Sequence, residues 1–171
     1  MTNIVLIGMP AAGKSTIARA LAGLSGWALV DTDALLEAWW GAPLQTIRDH
    51  LGLEGFLDAE EAGILRLGVQ RAVVATGGSV VYRQAAMDHL RRAGWVVHLH
   101  ASLETIAARL HNTANRGLAM RPHQSLADLY AERTPLYSRF AHWTISTDTI
   151  PPHEAAQRIW DAFSQRTEET P

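Results

Sequence analysis

A glycine-rich segment near the N-terminus has the residue types and spacing of a phosphate-binding loop. The pattern G-x-x-x-x-G-K-S/T is met by Gly8, Gly13, Lys14 and Ser15, between an apolar run and a segment with helical spacing. Glycines at the ends allow the backbone to curl, so that successive N–H groups form a nest for an anion. The lysine of such a loop reaches the β- and γ-phosphates, and the hydroxyl binds Mg²⁺. The pattern therefore predicts nucleotide contacts by Gly8, Ala11, Ala12, Gly13, Lys14, Ser15 and Thr16.

Two carboxylates follow the next apolar run along the chain. Asp31 and Asp33 come directly after Trp27–Val30, which is predicted to be a strand. In an α/β sheet, ligands bind at the carboxyl ends of the strands, and the two-residue spacing predicts both carboxylates on one side. One of them can then support Mg²⁺ through its waters while the other orients or deprotonates an attacking hydroxyl. The alternative is that Asp33 caps a helix that begins at Ala34.

Two later segments are candidates for binding the acceptor of such a reaction. Gly77 and Gly78 stand at the end of another apolar run, where adjacent glycines let a substrate approach the backbone closely. A plain turn would have the same sequence. Arg133 lies in a helical stretch before the last apolar run, where an arginine can clamp an anionic substrate.

The elements that must position these residues alternate along the chain. Short apolar runs rich in β-branched residues are predicted to be strands at Asn3–Gly8, Ala28–Asp33, Ala72–Gly77, Trp95–Ala101 and Trp143–Thr147. Segments with helical spacing lie between or after them at Lys14–Leu24, Glu54–Arg71, Arg83–Ala93, Leu103–Leu110 and Ala155–Ser164. The alternation predicts an α/β fold, a three-layer sandwich around a central parallel sheet of about five strands.

One polar stretch, residues 112–124, interrupts this alternation. It contains Asn, Gly, His, Pro and two arginines without a sustained period, which is typical of a functional lid or a disordered loop. The chain has no repeats and no linker-like tract, so residues 1–171 are predicted to form a single domain.

Composition narrows the function classes. Of 171 residues, 47% are hydrophobic and 19% charged, with a net charge of -2, so the chain lacks the basic field of a nucleic-acid-binding protein. Without cysteine, it has no disulfides, no thiolate metal sites and no cysteine nucleophile. No apolar run is long enough for a signal sequence or a membrane span, which favours a cytoplasmic protein without a membrane partner.

The phosphate-binding loop by itself does not name a reaction, since GTPases, motors and kinases all use it. The sequence lacks the Asn/Thr-Lys-x-Asp guanine signature and is short for an attached mechanical module, so a small-molecule kinase fits best. Two rivals remain: a nucleotide-binding protein without catalysis, and a nucleotide kinase, which needs more base-reading groups on the acceptor side.

Taken in order, the motifs resemble those of the shikimate kinase family, within the P-loop fold of nucleoside-monophosphate-kinase-like proteins. The resemblance covers most of the chain, from Ile4 to Ile159. It depends on GMPAAGKST, DTD, Gly55–Phe56 with Glu60, ATGGSVV, Arg121–Pro122, RTPLY and the segment from Thr147 to Glu154. The family fold implies a P-loop NTPase domain with the lid at about 112–124 and an acceptor-binding helical segment at about 34–62.

The resemblance also implies roles for individual residues. Lys14 and Arg121 would stabilise the transferred phosphoryl group, with Arg121 carried on the lid. Asp33 would hold the acceptor hydroxyl, which leaves Asp31 with Ser15 for Mg²⁺. On the nucleotide side the resemblance implies contacts by Arg109, which would lie against the adenine, and by Pro152. The implied acceptor pocket consists of Asp33, Phe56, Glu60, Gly77, Gly78, Ser79 and Arg133. The implied partners are ATP as co-substrate and a small hydroxyl-bearing carboxylate. We expect the protein to be a monomer, with a dimer as the alternative.

The sequence departs from the family pattern mainly on the acceptor side. The family pattern places an arginine after the phenylalanine, where it shares the substrate carboxylate, and this chain has Leu57. Ser79 replaces a usual third glycine, Ala11 replaces a usual loop glycine, and the lid is longer and includes Arg116.

The change at Leu57 leaves two acceptors open. Shikimate is the family default. Homoserine is the alternative, because Glu60 without its arginine could receive an ammonium group while one remaining arginine binds the carboxylate.

Overall fold

Five short strands form one fully parallel sheet. The computed structural model describes residues 3–111, 119–121 and 123–168. Its strands are β1 (Asn3–Ile7), β2 (Ala28–Asp31), β3 (Ala72–Ala75), β4 (Gly94–His100) and β5 (Trp143–Ser146). Their order in the sheet is β2-β3-β1-β4-β5, and every neighbouring pair is parallel. The predicted five-stranded parallel sheet is confirmed.

Helices connect the strands and cover both faces of the sheet. They are α1 (Lys14–Ser25), α2 (Thr32–Trp40), α3 (Leu44–Leu65), α4 (Gln84–Ala93), α5 (Leu103–His111), α6 (Leu126–Phe140) and α7 (Pro152–Glu168). Parallel crossovers are right-handed. The connection from β1 to β2 runs one way along the sheet and the later connections run the other way, so α1 lies on the face opposite to α3, α4 and α6. Since α7 packs against α1, the result is a three-layer sandwich.

This topology determines where a ligand can bind. Strands β1 and β3 are neighbours, but the helices that follow them leave toward opposite faces. A crevice opens beyond the carboxyl ends of two such strands, and ligands of open α/β sheets bind there. The glycine-rich loop follows β1 and the Thr76–Ser79 segment follows β3, so both predicted binding segments lie at this crevice.

The core is apolar on both sides of the sheet. Strand β1 is fully buried along its length, and its side chains belong to one continuous cluster with those of β3 and β4. A smaller second cluster, Leu36, Ile47, Phe56 and Ala119, joins α2 and α3 to the end of the lid segment.

The structure corrects several predicted boundaries, three of them next to the crevice. The strand predicted over Ala28–Asp33 ends at Asp31. The helix predicted over Glu54–Arg71 begins at Leu44 and ends at Leu65, and Gly52 breaks it with φ 68° and ψ −179°. Only a residue without a Cβ adopts that conformation readily, so the break depends on the glycine. The strand predicted over Ala72–Gly77 ends at Ala75, which leaves the glycine pair in the loop that follows it.

Two other observations bear on the predicted organisation. Of the predicted lid, residues 112–118 and 122 lie outside the described residues, which include Ala119–Arg121 and His123–Gln124. Across the described part of the chain, no helix is both long enough and apolar enough to cross a membrane.

Candidate active site

The loop between β1 and α1 curls because its glycines allow it. Gly8 has φ 148° and Gly13 has φ 97°, both in the region that disfavours side chains. A Cβ on Gly8 would lie 2.5 Å from the carbonyl oxygen of Leu99 on β4, so the loop could not pass so close to the sheet with any other residue. Ala11 also has a positive φ, 63°, although it carries a Cβ.

Lys14 is buried at the centre of this loop. Its Nζ donates to the carbonyl oxygens of Gly8 at 2.8 Å and Met9 at 2.9 Å. Burial lowers the pKa of the amine from 10.5 to about 8, against the opposing effect of the nearby Asp33 carboxylate. An ammonium that is held in place and poorly solvated interacts strongly with an anion that enters the loop.

Asp31 links this loop to the start of α2. Its Oδ2 accepts from the Ser15 hydroxyl at 2.8 Å, while its Oδ1 accepts from the backbone N–H groups of Asp33 and Ala34. Asp31 is therefore the N-cap of α2, which begins at Thr32. The alternative in which Asp33 caps a helix at Ala34 is wrong, and so is the expectation that strand alternation orients both carboxylates, because Asp33 lies in the first turn of the helix.

Asp33, Glu60 and Gly77 meet on the acceptor side of the crevice. A Cβ built on Gly77 would lie 2.8 Å from Asp33 Oδ1 and closer still to Glu60 Oε1, so only glycine fits between these carboxyl groups. Gly77 N–H donates to the Thr32 hydroxyl at 3.2 Å, which ties the end of β3 to α2. The sequence predicts that Gly77 lets a substrate approach the backbone. In the structure the space beside its Cα is already occupied by the carboxyl groups of Asp33 and Glu60.

Glu60 is a buried carboxyl group with an unusual environment. It is 5% exposed, and neither of its oxygens has a hydrogen-bond partner among the described residues. Burial, reinforced by the Asp33 carboxylate, raises its pKa from 4.5 to about 7. The neighbouring Ser79 hydroxyl and the Arg133 guanidinium lower that pKa in part, although no hydrogen bond of ordinary geometry joins Glu60 to Ser79.

Arg133 is fully buried beneath the end of β3. Its Nε donates to the Tyr82 hydroxyl at 3.0 Å, its Nη2 donates to the carbonyl oxygen of Ala119 at 2.5 Å, and its Cζ lies 4.9 Å from the centre of the Tyr82 ring. A Cβ on Gly78 would lie 3.2 Å from Arg133 Nη1, so the glycine lets the guanidinium approach the backbone. In this conformation the guanidinium is covered rather than open to the crevice.

An open cavity of about 180 Å³ lies beside Arg133. It is lined by Leu53, Glu54, Leu57, Tyr82, Arg83, Ala119, Arg121 and Gln124. Among these, Arg121 is exposed and is paired with Glu132 of α6, at 3.4 Å between Nη2 and Oε1. The arginine predicted on the lid therefore borders the acceptor side and, in this conformation, binds an acidic side chain.

The remaining predicted nucleotide residues lie along the same edge. Arg109 of α5 donates to the carbonyl oxygens of Ala11 at 3.3 Å and Thr147 at 2.6 Å, so it joins the glycine-rich loop to the segment after β5. Thr16 is exposed on α1, and Pro152 is exposed at the start of α7. Arg109 is thus positioned between the two segments that sequence reasoning assigned to the nucleotide.

The remaining predicted acceptor residues are buried. Phe56 is 4% exposed within the second apolar cluster, and Ser79 is 3% exposed just before a single 3₁₀ turn, Val80–Tyr82. Sequence reasoning missed Tyr82 and Arg83, although both follow the glycine pair closely in the chain. Both residues come a few positions after the glycine pair that follows β3, and this position next to a predicted binding segment could have identified them.

Comparison with known proteins identifies the family to which this arrangement belongs. A sequence model described as shikimate kinase matches residues 10–164. The shikimate kinase of Pseudomonas aeruginosa (strain LESB58) is 41% identical over 162 residues, which cover 93% of this chain and 94% of the relative. The chain belongs to the shikimate kinase family.

Further shikimate kinases extend the likeness in sequence and in structure. That of Thermodesulfovibrio yellowstonii is 36% identical over 162 residues and 93% of each chain. The structure of "Shikimate kinase from Acinetobacter baumannii in complex with shikimate" superposes with a TM-score of 0.90 at 32% identity, covering 97% of this chain and 94% of that one. The predicted resemblance and the P-loop NTPase fold are confirmed.

Proposed function

We propose that the protein transfers the γ-phosphoryl group of ATP to a hydroxyl group of shikimate. The observation that carries the proposal is the convergence of Lys14 in the phosphate-binding loop with the Asp33 carboxylate at one crevice, in a chain of the shikimate kinase family. A cation for the donor phosphates and a carboxylate for the acceptor hydroxyl are the two groups that phosphoryl transfer to an alcohol requires.

The donor side has a supporting set of groups. Nucleotide phosphates would enter the loop that contains Gly8, Ala11, Ala12, Gly13, Lys14, Ser15 and Thr16, and Arg109 and Pro152 would flank the adenine. Lys14 exchanges its contacts with the Gly8 and Met9 carbonyl oxygens for the phosphates. Because its charge is poorly solvated before binding, little solvation is lost in that exchange.

Mg²⁺ is part of the proposal because the oxygen donors present suit it. Ser15 and Asp31 lie within hydrogen-bond distance of each other, and a hydroxyl plus a carboxylate is a typical protein contribution to a magnesium site that phosphates complete. The described residues contain no group of three or more His, Asp or Glu side chains that could hold a metal on their own. Bound there, Mg²⁺ would neutralise charge on the transferred phosphate.

On the acceptor side, Asp33 would orient the attacking hydroxyl and accept its proton. Phe56, Gly77, Gly78 and Ser79 would form the walls and floor, and Glu60 would accept a hydrogen bond from another hydroxyl. Arg133 would bind the carboxylate, for which it must exchange its contact with the Ala119 carbonyl oxygen. Arg121 would leave Glu132 and approach the transferred phosphoryl group when the lid closes, which also excludes water.

Shikimate is favoured over homoserine by the family evidence. The relatives named above are shikimate kinases, and one of those structures is described as a complex with shikimate. The argument for homoserine depended on Leu57 and on a free Glu60 carboxylate. A Glu60 pKa near 7 leaves that group partly protonated at neutral pH, which weakens its attraction for an ammonium group.

The proposal is tested by measuring ADP release with shikimate and with L-homoserine side by side, and identifying the phosphorylated product by mass spectrometry. We expect acceptor-dependent turnover with shikimate, little with L-homoserine, and loss of turnover of at least about a hundredfold in Asp33→Asn, since a general base contributes roughly 10²–10⁴-fold. ATP binding without turnover of any acceptor would support a non-catalytic nucleotide-binding protein. Turnover with a nucleoside monophosphate would identify a nucleotide kinase instead.

The proposal includes the organisation of the chain. Residues 1–171 would act as a single domain, with the lid at about 112–124 and the acceptor-binding segment at about 34–62. The protein would work as a cytoplasmic monomer without a nucleic-acid or membrane partner, which gel filtration and cell fractionation can check.

A further inference from the structure

The helix wall of the open cavity beside Arg133 lacks the cation that the family pattern places there. Leu57 of α3 is 4% exposed and lines the cavity together with Leu53 and Glu54. These three residues lie on one helix face because Leu57 is three or four positions from the other two. An acceptor carboxylate that approached this face would therefore meet aliphatic carbon and an acidic side chain.

A different arginine brings its guanidinium to the same stretch of α3. Arg83 follows the 3₁₀ turn after the glycine pair, and its Nη2 lies 3.1 Å from Glu54 Oε2 and 2.6 Å from Asp58 Oδ1. The same atom donates to the carbonyl oxygen of Glu54 at 3.3 Å. Glu54 and Asp58 are one helical turn apart and lie on either side of Leu57 in the sequence, so the guanidinium is held over the helix turn that carries Leu57.

Arg83 retains donors for a further anion. All of the hydrogen bonds that its guanidinium makes with described residues use Nη2, so Nη1 makes none among them, and Nε is buried without a partner. The two carboxylates that hold it are exposed, at 75% for Glu54 and 69% for Asp58, so each ion pair is weak and screened. Nη1 is not among the buried unpartnered atoms, so its N–H groups are the donors that a carboxylate in the cavity can accept from.

Arg133 by itself is poorly placed to replace this contact. Its guanidinium is fully buried, and Tyr82 and the Ala119 carbonyl oxygen already accept two of its hydrogen bonds. Tyr82 lies between the two arginines, and both Tyr82 and Arg83 line the open cavity. Arg83 is therefore the cation on the wall formed by α3 and the 3₁₀ turn, while Arg133 lies beneath the floor.

We propose that Arg83 is the second carboxylate-binding arginine of the acceptor pocket and supplies from the 3₁₀ turn the charge that Leu57 does not supply from α3. This inference rests on the proposed function, since it assigns a contact to the carboxylate of shikimate. In this arrangement Glu54 and Asp58 hold the guanidinium through Nη2, Nη1 donates to the carboxylate, and the aliphatic Leu57 packs under the acceptor ring.

The test compares shikimate with its uncharged methyl ester as acceptors for Arg83→Leu and Arg83→Gln. The glutamine variant can keep a hydrogen bond to α3, so it serves if the leucine variant folds poorly. For both variants we expect the KM for shikimate to rise about tenfold, the lower end of the effect of a charged hydrogen bond, because the side chain is partly exposed. We expect kcat and the KM for ATP to change less than about threefold, and the KM for the methyl ester to match that of the wild type.

Two further variants separate a binding role from a structural one. Arg92→Leu removes the same charge from an exposed position on α4 and should leave every parameter at the wild-type value. Leu57→Arg, added to Arg83→Leu, returns a cation to the wall from the other side and should restore the KM for shikimate. A purely structural role of Arg83 predicts no such rescue.

Each result has a distinct meaning. If the wild type does not phosphorylate shikimate, the proposed function fails and the inference fails with it. The inference alone is overturned if the wild type is active but Arg83→Leu and Arg83→Gln keep a normal KM for shikimate. It is also overturned if the KM for the methyl ester rises as much as the KM for shikimate. A loss confined to the carboxylate and rescued by Leu57→Arg supports it.

Discussion

At the scale of single residues, Glu60 is the side chain whose environment differs most from that of an ordinary surface acid. It is buried with both oxygens unpartnered among the described residues, near the Asp33 carboxylate. Burial, reinforced by the Asp33 carboxylate, is what raises the pKa of Glu60.

Glu60→Gln should stabilise the protein at alkaline pH. The pKa of Glu60 is about 7 in the folded protein and near 4.5 in the unfolded chain, so the fold disfavours the ionised form. The penalty is absent below about pH 4.5, grows as the pH rises from about 4.5 to 7, and is fully present above 7. A shift of this size corresponds to on the order of 3 kcal/mol, so the variant should melt several degrees higher at pH 8 but not at pH 4.5.

Glu61→Gln is the matched control, because it makes the same change at the next residue, whose side chain is only half-buried. Thermal unfolding followed by circular dichroism from pH 4.5 to 8.5 measures both variants. Equal melting temperatures of Glu60→Gln and the wild type across that range would show that Glu60 has an ordinary pKa.

At the scale of elements, the loop between β1 and α1 contains a residue in a conformation that its side chain disfavours. Ala11 has φ 63°, whereas the loop glycines Gly8 and Gly13 hold positive φ without a Cβ. The carbonyl oxygen of Ala11 accepts from Arg109, which ties α5 to the loop. The protein therefore keeps the loop shape with an alanine at some cost in stability.

Ala11→Gly should relieve this strain. A left-handed conformation costs a residue with a Cβ about 1–2 kcal/mol, and the extra chain entropy of glycine offsets about 0.5–1 kcal/mol of the gain. We expect a net gain of roughly 0.5–1 kcal/mol, which for a chain of this length raises the melting temperature by about 1–4 °C. Urea unfolding at pH 7 provides the independent measurement.

Ala12→Gly is its control. Ala12 is the next residue, is fully buried and is not among the residues with positive φ, so the same change should destabilise the protein. If the free energy of unfolding falls equally in Ala11→Gly and Ala12→Gly, the left-handed conformation of Ala11 does not destabilise the protein.

The elements also show what local sequence patterns specify and what they leave out. Apolar β-branched runs predict all five strands, because a doubly buried parallel strand needs a continuous apolar stretch. They do not predict the start of α3, because Gly52 interrupts its helical pattern with a backbone conformation outside the helical region. Local patterns also cannot reveal a contact such as Arg83 with Glu54, since the two residues are 29 positions apart and meet only in the folded chain.

Local sequence patterns likewise predict some features of the candidate site and not others. Motif spacing predicts Lys14, Ser15 and Asp31, which the structure brings together at the carboxyl ends of β1 and β2. It does not predict that Asp31 also caps α2, or that Arg133 is fully buried. The burial of Arg133 depends on how one element packs against another, whereas the cap is a local contact that the sequence pattern assigned to Asp33 instead of Asp31.

At the scale of the whole molecule, nucleotide binding is coupled to the stability of the fold. The phosphate-binding loop contacts α5 through Arg109, and α5 also reaches the segment after β5 through the same side chain. A ligand held by this loop binds only the folded chain, so it must stabilise the protein by mass action. The sequence contains one lysine, Lys14, so a single substitution removes the only ammonium side chain.

A non-hydrolysable ATP analogue with Mg²⁺ should therefore raise the melting temperature of the wild type and not that of Lys14→Met. At a hundred times Kd the stabilisation is about 2.7 kcal/mol, or roughly 5–11 °C for a chain of this size. Without ligand, Lys14→Met should melt no lower than the wild type at pH 7, because the lowered pKa of Lys14 shows that the fold disfavours its charge. Differential scanning calorimetry with and without the analogue measures both quantities.

Two results would contradict these expectations. A ligand-induced rise in the melting temperature of Lys14→Met equal to that of the wild type would show that nucleotide binding does not need this lysine. A lower melting temperature of Lys14→Met without ligand would mean that the hydrogen bonds of Lys14 to the loop outweigh the cost of burying its charge.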